Sequence, residues 1–267
     1  QYIRPQDWGV GAERIAKTGD YHNQAPHLLG SERTGPDLSQ EGGEHPDDWH
    51  LAHFLNPRTT RPRSLMPRFG YLKRQDIMHL TAYVQSLGAK NADDRVAEQM
   101  RYKEMALSAF QMGPDANIEW LHSRVPEYWR TMPTESPVSR PSILRGEKIY
   151  QDYCIGCHGP VGDGNGPAAR YLKPSPLNFT TLKRHLVKGR YIGGILYYQI
   201  MNGITGSAMP YFKKDLESAK IWDVGNFVEY SFINHTDYRF RTVEIPVAYE
   251  GKTKVENPAK KGAGVRP

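Results

Sequence analysis

The chain contains two cysteines, Cys154 and Cys157, and His158 follows the second directly. Thiols three positions apart with an adjacent imidazole form the C-x-x-C-H pattern that attaches haem covalently. Each thiol adds to one of the two vinyl groups of the haem, and one helical turn between the sulfurs suits the separation of those groups. The histidine is then delivered to one face of the iron. Two other chemistries suit these residues less well. A thioredoxin-like dithiol calls for a preceding strand in a βαβ setting, which the sequence lacks. A zinc site calls for a second Cys or His pair at metal spacing, and there is no further cysteine.

A haem that only transfers electrons takes a second ligand on its other face, most often a methionine thioether. Beyond His158 the chain offers Met201 and Met209. Met201 extends an apolar stripe with Ile195, Leu196 and Ile200, which reads as core packing. Met209 stands in the loop Gly206-Ser207-Ala208-Met209-Pro210, where small neighbours let sulfur approach a flat ring. The axial pair expected from the sequence is His158 and Met209.

These residues need elements to position them. An amphipathic stretch from Ile143 to Tyr153 predicts a short helix running into the cysteines. The run Gly162-Asp163-Gly164-Asn165-Gly166 lacks the closing glutamate of a calcium loop and reads as a tight turn after the motif. Four regions follow from the punctuation. Residues 1–88 are rich in His, Pro and turn signals and close with a predicted helix, Arg74 to Leu87, stopped by Gly88. Residues 89–141 are a helical and then Pro-broken strap. Residues 142–235 hold the haem motif, and residues 236–267 form a Lys/Gly/Pro tail with a short strand expected at Arg241–Tyr249. A weak repeat links the first and third regions. Leu65-Met66-Pro67-Arg68-Phe69 precedes one apolar helix, and Ala208-Met209-Pro210-Tyr211-Phe212 precedes another, each helix carrying a Tyr near its end.

The bulk numbers agree with small domains built round a cofactor. In 267 residues the hydrophobic share is 38%, with 25 Gly and 20 Pro, so a haem would supply missing core. No run reaches the roughly 18 apolar residues of a membrane span. Gln1 is not a methionine, so a further segment is expected upstream of it. The formal charge is +6 and the pI about 9.1. The basic residues are scattered or gathered in the tail, which excludes nucleic acid as a partner and suits a face that meets an acidic protein or membrane surface.

The order Gly146…Tyr150…Cys154-Ile155-Gly156-Cys157-His158-Gly159, then Gly162-Asp163-Gly164…Gly166-Pro167-Ala168, Pro174-Ser175-Pro176-Leu177-Asn178-Phe179 and Ala208-Met209-Pro210, resembles a class I mono-haem cytochrome c domain over residues 142–235. The resemblance implies a helical fold round the haem with one exposed edge. It also implies a proline carbonyl, from Pro174 or Pro176, that accepts the hydrogen bond of His158's other ring nitrogen. Arg170, Arg184, Tyr191 and Trp222 are candidate partners for the haem propionates.

Residues 1–88 are similar to the mono-haem cytochrome subunit of cbb3-type haem–copper oxidases, through Tyr2-Ile3-Arg4-Pro5, Gly30 to Leu38, Asp48-Trp49-His50…His53-Phe54-Leu55-Asn56-Pro57-Arg58 and Leu65-Met66-Pro67. In that family the C-x-x-C-H motif lies just before the position of Tyr2. A second haem c, with Met66 as its distal ligand, is expected if that motif precedes Gln1; otherwise the region is a haem-free docking module. His22, His27, His45, His50 and His53 suggest a rival copper or zinc site, but no acidic or Cys partner falls at metal spacing. The whole therefore reads as mainly α, two cytochrome c-like helical domains joined by a Pro-rich strap. The expected function is electron transfer to or within a respiratory oxidase or reductase complex, outside the cytoplasm, with redox proteins or a membrane oxidase or reductase subunit as partners and no substrate turned over. The alternative is a haem enzyme with an open iron position acting on peroxide, nitrite or NO.

Overall fold

Every regular element among the described residues is helical, as the 3.6-residue spacing of their apolar positions predicts. The computed structural model describes residues 40–132, 138–182 and 193–234, together with residues 22, 23, 25, 35 and 38. The strand expected at Arg241–Tyr249, the tail, and Arg184 and Tyr191 lie outside the described residues. In chain order the helices are α1 (Asp47–Leu55), α2 (Arg74–Gln85), α3 (Ala89–Gln111), α4 (Pro114–Ser123), α5 (Glu127–Thr131), α6 (Arg140–Tyr153), α7 (Ile155–His158), α8 (Gly193–Asn202) and α9 (Ser218–Val228). Short 3₁₀ turns at Pro57–Thr59, Ala169–Tyr171 and Phe179–Thr181 shape the loops, and a π-helical turn, Glu229–Asn234, continues α9. Gly88, at φ +118°, separates α2 from α3 in a conformation that L side chains rarely adopt.

The largest core forms where α6 crosses α9. Gly146 makes the approach close: a Cβ there would lie 2.0 Å from the Asp223 carbonyl oxygen. Arg145 grips the buried Asp223 with two hydrogen bonds, 2.6 and 2.8 Å. Asn226 Nδ2 donates to Ser142 Oγ at 2.9 Å, which pairs these two buried polar groups across the crossing. Tyr150, Phe227 and Phe232 meet edge-on and tilted at 5.1–5.4 Å between ring centres.

Helix α1 is shared between two cores. Phe54 faces α2, where it packs with Ile77, Val84, Met66, Phe69 and Leu72. Trp49 and Ala52 face the other way, onto Ala168, Leu172, Ala208 and Cys157. The strap is likewise part of the body. Trp129 of α5 stacks on Tyr197 of α8 at 5.1 Å, and the Gly206 N–H donates to Gln99 of α3 at 2.8 Å. Ion pairs join the first region to later ones: Arg61 with Asp215 at 3.2 Å and Arg63 with Asp152 at 2.7 Å. Asp48 receives both the Lys103 ammonium and the Lys173 N–H, at 2.8 and 2.7 Å.

Of the histidines named in the first region, His45, His50 and His53 are packing residues, His22 is exposed, and His27 lies outside the described residues. His45 and His53 lie against the Trp49 ring at 3.8 and 4.5 Å, and His53 Nδ1 hydrogen-bonds Thr60 Oγ1 at 2.6 Å. Among the described residues no group of three His, Cys, Asp or Glu could hold a metal ion. Burial pushes His50 down to about 4, His53 to about 3 and His45 well below its usual range. Burial, reinforced by Glu44, pushes Glu41 up to about 8.

The histidines stay neutral in the fold and protonate in the unfolded chain below about 6.5, so the unfolded state binds more protons and stability is lost as pH falls from there toward 3. Glu41 acts oppositely: its stabilising contribution is whole below about 4.5 and is lost as pH rises through 8. Stability is therefore expected to peak near neutrality, with the steeper fall on the acid side. Thermal unfolding measured from pH 4 to 9 checks this, and a His50→Gln/His53→Gln variant should flatten the acid limb. An acid limb unchanged in that variant would place the titration elsewhere.

Candidate haem site

Helix α6 stops at Tyr153, and the attachment residues form the single turn of α7 beyond it. His158 N–H donates to the Cys154 carbonyl at 2.9 Å, which closes the turn. The chain then doubles back through glycines at φ +77° (Gly159), +69° (Gly162) and +78° (Gly164). Its returning N–H groups satisfy the carbonyls that α7 leaves open: Gly164 to His158, Gly166 to Cys157 and Ala168 to Gly156, each at 3.0 Å. Tyr150 OH donates to the Gly159 carbonyl at 2.7 Å, which fixes the exit of the turn to the core. The run of glycines is thus the tight turn expected from its composition.

Cys154, Cys157, His158, Pro174, Pro176 and Met209 all line one cavity of about 1160 Å³, counted with its open mouth. The remaining wall is mostly apolar, with Leu172, Leu177, Phe179, Val224 and Val228. Met209 is carried there by a loop with Gly203 and Gly206 at positive φ (+69° and +88°). Inside that loop Ile204 N–H donates to the Met209 carbonyl and Met209 N–H to Ser207 Oγ, both at 3.1 Å. Outside it, Gln99 receives Gly206 N–H and Glu44 receives Tyr211 OH, at 2.8 and 2.6 Å. Met201, on α8, packs against the core and lines neither this cavity nor the neighbouring one behind the loop.

His158 Nδ1 lies 3.2 Å from the Leu177 carbonyl, and its ring stacks on Phe179 at 4.5 Å. The acceptor is therefore Leu177 and neither Pro174 nor Pro176, although both prolines line the cavity. Successive carbonyls of an extended segment point to opposite sides. That of Pro176 faces Gly164, where a Cβ would lie 2.5 Å from its oxygen, and the next one faces the histidine. With Nδ1–H donated to the carbonyl, Nε2 keeps its lone pair for a metal. Burial lowers His158 to about 4, so the imidazole is neutral at pH 7. Burial pushes Cys154 and Cys157 up to about 12. Such thiols are poor redox nucleophiles, which leaves little for the dithiol reading.

Other candidate residues fall elsewhere. Arg170 is exposed over the Tyr171 ring, and Trp222 is buried against Tyr197 at 4.3 Å; neither lines the cavity. Met66 packs with Phe54 and Ile77, its carbonyl accepting from Arg58 at 3.3 Å, and it lines neither described cavity. Among the cavity residues that no local signal marks are Trp120 and Arg61. Trp120 comes from the strap and Arg61 from the first region, and nothing local marks either as facing the cysteines.

The donor set fits a covalently held haem: two thiols, a neutral imidazole and a thioether lining one mostly apolar cavity. The Trp120 indole N–H, buried there with no partner, leaves room for an acceptor from the occupant. Residues 1–113 match the family model of the mono-haem subunit of cytochrome c oxidase, FixO. Residues 141–228 match that of subunit III of cbb3-type cytochrome c oxidase. The chain is a cytochrome c that resembles cbb3 oxidase subunits. Both families imply haem c for this cytochrome. The first match runs to residue 113, so it takes in α3 of the strap as well as the Met66 region. No curated protein matches the cytochrome. Among solved structures, one in the reducing HAO-like protein complex of Kuenenia stuttgartiensis is 20% identical, with a TM-score of 0.30 over 73% of this chain and 74% of that one.

Proposed function

We propose that this cytochrome carries single electrons within, or to, a respiratory oxidase or reductase complex, with haem attached through Cys154 and Cys157 and held axially by His158 and Met209. The observation that supports this reading is the presence of all four donors on one apolar cavity. Bound there, a haem supplies reversible one-electron chemistry at its iron. The chain's own residues do the rest. Leu177 orients His158, the clamped loop presents Met209, and the apolar wall keeps water from the iron. Because thioether attachment of haem takes place outside the cytoplasm, we assign the protein to the periplasm or its equivalent. Redox proteins are its partners, and the +6 charge favours acidic ones. The matched mono-haem family over residues 1–113 supports a second haem in that region, but Met66 packs with Phe54 and Ile77 and lines neither described cavity, so its geometry lends no support to it as a ligand.

The test is spectroscopic. Reduced protein should show a six-coordinate c-type spectrum that carbon monoxide leaves unchanged. A spectrum that shifts at once with CO would favour the open-iron enzyme acting on peroxide, nitrite or NO. Iron quantified on the protein as expressed from its full gene should give two per chain; one per chain would remove the second haem and leave residues 1–88 as a docking module.

A further inference from the structure

The loop that carries Met209 borders two cavities. Ile204, Ser207, Ala208, Met209 and Pro210 line the haem cavity, and the same five residues line a second, more polar one of about 750 Å³, counted with its open mouth. Glu44 of the first region and Arg95, Glu98 and Gln99 of α3 line that second cavity too. A segment with open space on two faces is not fixed by close packing alone. Its two ends are tied to α8, where Gly203 N–H donates to the Gln199 carbonyl at 2.8 Å and Phe212 N–H to the Ile200 carbonyl at 3.0 Å. Between those ends, the side chains that hold it come from other parts of the chain. Gly206 N–H donates to Gln99 Oε1 at 2.8 Å, and Tyr211 OH donates to Glu44 Oε2 at 2.6 Å. A Cβ on Gly206 would lie 2.3 Å from the Tyr102 carbonyl carbon, so the loop sits directly on α3.

Both acceptors are themselves fixed. Gln99 Nε2 donates to the Gly43 carbonyl at 3.3 Å, and Arg95 donates to the Gly42 and Gln40 carbonyls at 2.8 and 2.9 Å. Gly43 N–H in turn donates to Gln85 of α2 at 2.8 Å. The segment that bears Glu44 is thereby anchored to α2 and α3 before it meets the loop. Resting on the axial reading above, we propose that Gln99 and Glu44 are positioning residues for the Met209 thioether. They hold the distal ligand at the iron from outside residues 141–228, so the seating of the first region and α3 on the loop sets how readily that face of the haem opens. The second cavity gives the loop room to move away, and moving into it breaks both ties.

The experiment uses the haem-loaded full chain, with haem content and far-UV circular dichroism measured on every sample. Tyr211→Phe and Gln99→Ala should each speed cyanide uptake by the ferric protein about tenfold, the equivalent of one lost hydrogen bond. Both should also weaken the thioether-to-iron charge-transfer band. Glu44→Ala should match Tyr211→Phe, and the two combined should go no further than either, because they remove the same bond. Glu44→Gln keeps an acceptor oxygen and should restore most of the wild-type rate. Arg63→Gln removes the tie between the first region and Asp152 of α6 and leaves both loop ties intact, so its rate should equal wild type. Wild type gives a reading that needs no variant: the Gly206 amide of the ferric protein should exchange with deuterium faster once cyanide has displaced Met209. Uptake unchanged in Tyr211→Phe, Glu44→Ala and Gln99→Ala, an equal rise in Arg63→Gln, or a Gly206 amide indifferent to cyanide overturns the proposal. Cyanide uptake no faster in Met209→Ala than in wild type would instead overturn the axial reading, and the positioning role with it.

Discussion

Replacing Met209 by alanine is expected to open one face of the iron, so that the reduced protein binds carbon monoxide and the oxidised protein binds cyanide, while the haem stays covalently attached. The reduction potential should fall, because a thioether favours ferrous iron and water or hydroxide does not. Met209→His should keep six coordination and yet lower the potential, since imidazole is the harder donor; axial ligands as a class span about 0.8 V. The loop should hold its shape in both variants, because its ties to Gln99 and Glu44 run through Gly206 N–H and Tyr211 OH. Equilibrium redox titration and ligand-binding spectra check this. Should Met201→Ala alter both properties and Met209→Ala neither, the sulfur on α8 is the ligand.

The double variant Cys154→Ala/Cys157→Ala should lose its haem altogether. Wild-type protein should keep its haem through denaturation and acidic organic extraction, whereas the variant should yield none in the bound fraction. The effect on folding should be nearly as large. Leu172, Leu177, Val224 and Val228 would then face a water-accessible cavity, and unfilled apolar volume is destabilising. Far-UV circular dichroism of the variant should show most helix from residues 142–234 gone, much as metal sites lose their fold with the metal. Free extraction of haem from the wild type would sink the attachment assignment.

The sequence announces the parts of this site that are local. Cys154, Cys157 and His158 are neighbours in the chain, and the glycines at 159, 162 and 164 betray a turn that only positive φ can make. The place of Met209 on the cavity is legible because a loop of small residues contrasts with the apolar helix round Met201. The resemblance implies Pro174 or Pro176 as the acceptor for His158 and the structure has Leu177, because carbonyl direction alternates along an extended segment and residue type does not report it. The strap was read as a connector because Pro114, Pro126 and the other prolines look like interruptions. In the structure Pro114 opens α4, and Pro126 immediately precedes α5, positions where a missing N–H costs nothing. Trp120 and Arg61 stayed hidden for a different reason. Which side chains reach a cavity from 34 and 93 positions upstream of Cys154 is decided by tertiary packing alone.

The close fit of the first region against α7 has a bearing on how the protein is made. A Cβ on Gly156 would lie 2.2 Å from the Thr59 carbonyl oxygen, and Trp49 packs on Cys157. Thioether formation requires both sulfurs and both vinyl-bearing carbons to be reachable together. In the finished fold the turn that bears those sulfurs is roofed by α1 and the Pro57–Thr59 turn. Haem insertion is therefore expected to precede the packing of residues 40–88 onto α7. Any change that hastened that closure is expected to leave part of the population sealed without its pigment.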